Sequence, residues 1–261
     1  MRKNLNQLLI LTFIHIGLNA QQDHLKLVKI TGNQISDIRN VYMNVKPYLY
    51  ITAIDLSKLD VKERKEAFIN LMLPSILIAK QQLAETRKTV SELIYSDREI
   101  SKNEMNYLKM LMEEYKCNES IDLLSKLLTH PTSIVLAQAA IESGWGTSRF
   151  YREANNLFGV WSYKMSEPRI KASEERDGKA VYVKKYKSLS TSILSYFKVL
   201  ARGPYSTFRS KREETNDVFD LISHLTLYSE KKEAYVNILE QLIRFNSLEQ
   251  YDAYHLNYNI N

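Results

Sequence analysis

The run Ile134-Val-Leu-Ala-Gln-Ala-Ala-Ile141 is apolar at nearly every position and is bracketed by Pro131 and Gly144. Proline suits a first helical turn and glycine a helix end, so the spacing predicts one helix between them. A helix that is apolar on every side has no face to turn to water, so other elements have to surround it. With 44% hydrophobic and 25% charged residues, the chain has the composition to build that shell and still be soluble. Glu142 then stands out, as a single carboxylate at the end of this helix. Burial there raises a carboxyl pKa, and the negative end of the helix dipole pushes the same way. A carboxyl group kept protonated near neutral pH, with Trp145 close by, has the character of a general acid that protonates a leaving oxygen. The same residues also fit a core glutamate bonded to Gln138, or to a backbone amide of the Gly144–Gly146 turn.

The flanking segments read mostly as helices. Ala67, Phe68, Leu71, Met72, Ile76, Leu77 and Leu83 recur at helical spacing, with Pro74 predicting a kink or break. Ser101-Lys-Asn-Glu104 has the form of a capping box, and Ile121–Leu128 leads toward Pro131. Asp37–Val45 predicts a short helix before Pro47. Beyond the central helix, Asp177-Gly178 followed by the alternating Ala180–Tyr186 predicts a hairpin, expected as the only sheet. Residues 188–201, 215–227 and 229–245 return to helical periodicity, with Ser190 and Ser229 as expected caps.

Arg2 and Lys3, the apolar stretch Leu8–Leu18 and then Asn19-Ala20 form a signal-peptide pattern with cleavage after Ala20, which places the mature chain in the periplasm, the cell envelope or outside the cell. Removing it lowers the formal charge from +6 to +4. That modest excess suits an anionic polymer, while the absence of a basic stripe interleaved with aromatics argues against nucleic acid. No later stretch runs uncharged long enough to predict a membrane span in the mature chain. Cys117 is the only cysteine, so no internal disulfide forms, and it reads as an inert buried thiol. His130 and His224 lack companions at ligand spacing, and no phosphate loop is present, so neither a metal nor another cofactor is expected. Oligomeric state is not readable from the sequence.

Three motifs carry a resemblance: Leu136-Ala-Gln-Ala-Ala140, Glu142-Ser-Gly-Trp-Gly-Thr-Ser-Arg-Phe150 and Asn155-Asn-Leu-Phe-Gly159. With Tyr205–Arg209 and Tyr228-Ser-Glu…Tyr235-Val236, the chain resembles bacterial glucosaminidases of glycoside hydrolase family 73, in particular their exported Bax-like branch. Ile141 departs from the polar residue expected there in that branch. The resemblance implies a mainly α (α+β) fold, a lysozyme-like helical domain with one small hairpin preceded by docked N-terminal helices. The expected order is a leader over 1–20, a helical region over 21–118, the glucosaminidase domain over 119–251 and a tail over 252–261. It implies cleavage of peptidoglycan glycan strands on the reducing side of N-acetylglucosamine, with Glu142 as acid, Glu174 before the hairpin turn as second carboxylate, and Tyr228 near the cleft. Trp145, Phe158, Trp161 and Tyr235 would contact sugar, and Asn155 and Asn156 would either bind the N-acetyl group or tie a turn. A lytic transglycosylase and a non-catalytic wall-binding scaffold are the competing readings. Asn-Asn-Leu-Phe-Gly stands where the former would carry Gly-Leu-Met-Gln.

Overall fold

The computed structural model describes residues 25–257, except Asp177 and the side chains of Glu174 and Arg176. The expected leader lies outside the described residues. The central helix, α4, spans Thr132–Ser143, with every residue from Thr132 to Ala140 buried. Around it stand α1 (Val61–Ile94), α6 (Leu189–Arg202), α8 (Val218–Ser223) and α9 (Glu233–Phe245). α4 packs directly on α1, α8, α9 and the 3-10 segment Leu248–Ala253, and α1 packs on α6. The smaller helices α2 (Lys102–Tyr115), α3 (Asp122–Lys126), α5 (Arg149–Ala154) and α7 (Ser206–Glu214) fill the corners. The fold is therefore mainly helical, as the periodicity predicts.

α1 runs through Pro74 as one helix, so of the two outcomes expected there the break is absent. A proline inside a helix costs about 3 kcal/mol. The neighbouring Leu71, Met72, Leu73, Ile76 and Ile78 are all fully buried, each contributing roughly 1.5–3 kcal/mol, so packing outweighs the lost backbone bond. α1 also has the length and hydropathy of a membrane span, yet most of its apolar stretch is used inside the protein's own core. At α2 the capping box forms as predicted: Ser101 Oγ accepts from the Glu104 amide and Glu104 Oε2 accepts from the Ser101 amide at 2.7 Å.

The predicted hairpin is present as β4 (Arg169–Arg176) and β5 (Lys179–Lys184), antiparallel, with Gly178 in the left-handed region at the turn. It is not the only sheet. β1 (Val28–Ile30) pairs in parallel with β3 (Tyr48–Tyr50), and β2 (Asn44–Val45) with β6 (His255–Leu256). The expected helix over Asp37–Val45 is absent; a 3-10 turn at Ile35–Asp37 gives way to extended chain and β2. Strands this short carry no readable alternation, and their partners are distant in sequence. The C-terminal helices are also divided differently. α6 is capped by Ser188, not Ser190, and α7 lies in the stretch between the two expected helical segments, for which no element is predicted. Residues 215–227 contain only the two turns of α8 and a 3-10 turn at Thr226–Tyr228, while α9 begins after Lys232. The segment read as a tail from residue 252 is tied down by β6 and by Asp252, which accepts from the Ser133 amide and hydroxyl at the start of α4.

Candidate active site

Glu142 reaches the surface at the last turn of α4 because the helix is stopped immediately after it. Gly144, Trp145 and Gly146 take successive left-handed conformations, with φ of 59°, 55° and 76°. Ser143 organises the turn: its hydroxyl donates to Ala139 O and accepts from the Gly146 amide. A Cβ on Gly146 would come within 3.0 Å of Leu56 and 3.3 Å of Phe68, so this glycine answers both a backbone and a space requirement. The turn swings the Trp145 ring away from the groove and onto Phe68, edge to face at 5.5 Å, with Lys65 Nζ 5.2 Å from its ring centre. Trp145 therefore buttresses the helix end and does not wall the acid.

A groove of about 320 Å³ opens beside Glu142 and is lined by Phe158, Val160, Trp161, Tyr163, Tyr196, Val199, Tyr205 and Tyr228. Glu142 is the only carboxylate among these lining residues. A larger hollow of about 400 Å³ between α1 and the end of α3 is lined by Arg87, Lys88, Glu92 and Leu127 among others, and has no aromatic wall. Of the two, only the first combines a carboxylate with an aromatic wall.

The sequence suggests a buried Glu142, but the residue is exposed and lines the groove. Protein mass nonetheless displaces water over much of its surroundings, and this desolvation raises its pKa. One hydrogen bond opposes the rise: Tyr235 Oη donates to Glu142 Oε1 at 3.2 Å. Tyr235 is buried, so it serves the acid from behind and not as a sugar platform. Tyr228, half-buried, stacks on Tyr235 at 5.5 Å and lines the groove; burial pushes its phenol well up, so it stays protonated.

Other residues singled out from sequence separate into groove and scaffold. Phe158 lines the groove floor, stacked on Tyr196 at 4.3 Å, and Trp161 sits at the rim with Tyr163 6.2 Å away. Asn155 and Asn156 are buried, and their amides are committed to backbone. Asn155 accepts from the Ala53 amide at 2.7 Å and donates to Ile51 O and Tyr186 O. Asn156 accepts from the Val160 amide and donates to Val160 O and Lys184 O. Between them they fasten the N-terminal arm and the base of the hairpin to the loop that carries Phe158 and Trp161. Glu174 falls in β4, inside the stretch from Lys171 to Glu175 where the register with β5 shifts.

Tyr163, Tyr196, Val199 and Tyr205 line the groove without having been singled out as site residues. Tyr196 and Val199 sit on an amphipathic helix whose periodicity marks them as core, and Tyr163 lies in a stretch without period. Tyr205, inside a motif already noted, was the one with a signal. Among the described residues no three His, Cys, Asp or Glu side chains converge as a metal site would require.

The sequence profile of the glucosaminidase family, described as mannosyl-glycoprotein endo-beta-N-acetylglucosaminidase, matches residues 118–248. Protein bax of Escherichia coli K12 is 30% identical over 198 residues, covering 70% of this chain and 70% of that protein. The exo-glucosaminidase LytG of Bacillus subtilis 168 is 27% identical over 159 residues, covering 57% of this chain and 52% of its own length. Among solved structures, the catalytic domain of the autolysin Auto from Listeria monocytogenes is 25% identical, covering 62% of this chain and 94% of its own, with a TM-score of 0.41. With half of its residues matched by the family profile and a relative 30% identical across most of both chains, this chain belongs to the glucosaminidase family and is a glycoside hydrolase.

Proposed function

We propose that this protein hydrolyses the glycan strand of peptidoglycan as an endo-β-N-acetylglucosaminidase, acting in the cell envelope or outside the cell, with Glu142 as general acid. The observation that carries the reading is a lone carboxylate of raised pKa facing an open groove lined by aromatic side chains. The name of one similar protein, an exo-glucosaminidase, agrees with cleavage at a glucosaminyl linkage. In this reading the protonated Glu142 gives its proton to the glycosidic oxygen as the bond from that oxygen to the anomeric carbon breaks. Aromatic faces at Phe158 and Trp161 hold sugar rings, and the Tyr228 hydroxyl holds the acetamido group or the incoming water. Glu174, carried on the hairpin, completes the reaction as base or nucleophile; participation of the substrate's own N-acetyl group is the alternative that needs no second carboxylate.

The test is Glu142→Gln. Digestion of purified walls should fall by about 10²–10⁴-fold, the range ascribed to a positioned acid, with the fold unchanged by circular dichroism. Retained activity would remove Glu142 from the chemistry. Mass spectrometry of wild-type products should show reducing N-acetylglucosamine ends; anhydromuramic ends would mean a transglycosylase. Loss of activity in Glu174→Gln, restored by azide, would identify the second carboxylate, and the anomer of the glycosyl azide would give its role.

A further inference from the structure

Glu142 is the last member of an unbroken series of side-chain hydrogen bonds that starts deep in the core. His130 Nε2 lies 2.8 Å from Tyr196 Oη, Tyr196 donates to Gln138 Oε1 at 2.5 Å, Gln138 Nε2 donates to Tyr235 Oη at 3.1 Å, and Tyr235 donates to Glu142 Oε1 at 3.2 Å. The series crosses α6, α4 and α9, and every member ahead of Glu142 is buried, Gln138 and Tyr196 completely. Simple counting of protons fixes its direction. A phenol has one proton, and that of Tyr196 is given to Gln138, so Tyr196 has to receive one from His130. The imidazole then carries its proton on Nε2, and its buried Nδ1 is left without a partner. The amide group of Gln138 in turn faces Tyr235, whose own proton is left for Glu142.

The reverse direction is physically worse. It would put the histidine proton on Nδ1, where a buried N–H has no acceptor, and it would turn the Tyr235 proton back toward Gln138. Protonated Glu142 would then spend its proton on Tyr235. A charged imidazole is opposed by burial and by Lys80 of α1 and Arg212 of α7, the cations that act on it, while Tyr196 of α6 is the polar group it meets. Among the described residues the phenols of Tyr196, Tyr228 and Tyr235 act on Glu142, and those of Tyr163 and Tyr205 line the same groove.

We infer that His130, Tyr196 and Gln138 are positioning residues whose one-way series keeps Tyr235 donating to Glu142 Oε1, so that the acid's proton resides on Oε2 and is offered to the groove. The inference rests on the reading of Glu142 as general acid. The same bond that excludes a proton from Oε1 steadies the carboxylate once the proton has left.

Two measurements test it. In the wild-type protein, ¹⁵N NMR of His130, assigned through His130→Gln, should show a neutral ring protonated at Nε2 from pH 5 to 8; an Nδ1–H form or an imidazolium overturns the inference. Gln138→Met, close in shape but with no amide, frees Tyr235 to accept the Glu142 proton. Its kcat should fall about tenfold with KM unchanged, and the alkaline limb of the pH profile should move up, as expected when a hydrogen bond to a charged group loses its obligatory direction. An unmoved limb, with or without a fall in kcat, overturns the inference, and the NMR result stands even if that variant folds poorly. Failure of the general-acid reading looks different: Glu142→Gln would stay active whatever the tautomer of His130.

Discussion

At position 142 the proposed function and folding stability pull in opposite directions. Desolvation raises the Glu142 carboxyl in the folded protein above its value in the unfolded chain. Such a group supports folding below its unfolded pKa, and that support is lost as pH rises through the folded pKa. Glu142→Gln should therefore melt at a higher temperature than the parent at pH 7, and the difference should vanish below about pH 4, near the ordinary glutamate value. Calorimetry across that range checks both halves. Asn155 makes the opposite case, because it works for the fold. Losing its three buried bonds in Asn155→Ala, at a left-handed position with φ of 52°, should cost about 2–4 kcal/mol in urea unfolding, while turnover per folded molecule is kept. Glu142 stands out in the sequence because a carboxylate ending an apolar helix is anomalous on its face. The alternatives left open for the asparagines were not separable in sequence, since an amide serves sugar and backbone with the same atoms. The placement of Trp145 on Phe68 was not readable for a related reason: proximity in the chain says nothing about the side to which three left-handed residues turn a ring.

At the level of elements, the turn after α4 decides where the acid points. Gly146→Ala puts a methyl group against Leu56, Phe68 and Tyr151 at a φ of 76°. The left-handed backbone alone costs about 1–2 kcal/mol, and the crowding adds to it. The expected result is a lower melting temperature together with a lower kcat, since relief of the clash has to move the end of the helix that carries Glu142. A variant with unchanged kcat would show that the turn only terminates the helix. The long helices and the hairpin were readable because each repeats its pattern over several turns or residues. The parallel pairs β1–β3 and β2–β6 were not, because two or three residues carry no period and their pairing is decided by distant chain. Pro74 misled for an energetic reason, as a local penalty was outweighed by burial on both sides of it.

For the whole molecule, one hydrophobic core runs through both the N-terminal helices and the segment matched by the family profile: Tyr50, Ile54, Leu56 and Phe68 belong to the same cluster as Ile134, Leu136, Tyr196 and Leu239. Residues 118–251 expressed alone should give poorly dispersed amide NMR signals and no wall digestion, since α4 would lose the flank supplied by α1. Adding residues 25–117 as a separate chain should restore some of both. Sequence pattern places the N-terminal helices against the rest but does not reveal how completely they share its interior, because contacts between distant residues leave no local mark.

The pairing of Val45 with Leu256, together with the grip of Asp252 on the first turn of α4, laces an early part of the chain to a very late one. A ribosome or a translocation pore delivers residues in order, and contacts of such long sequence separation form last. The first turn of α4, the helix that ends at Glu142, is therefore fastened only after these two distant segments have met.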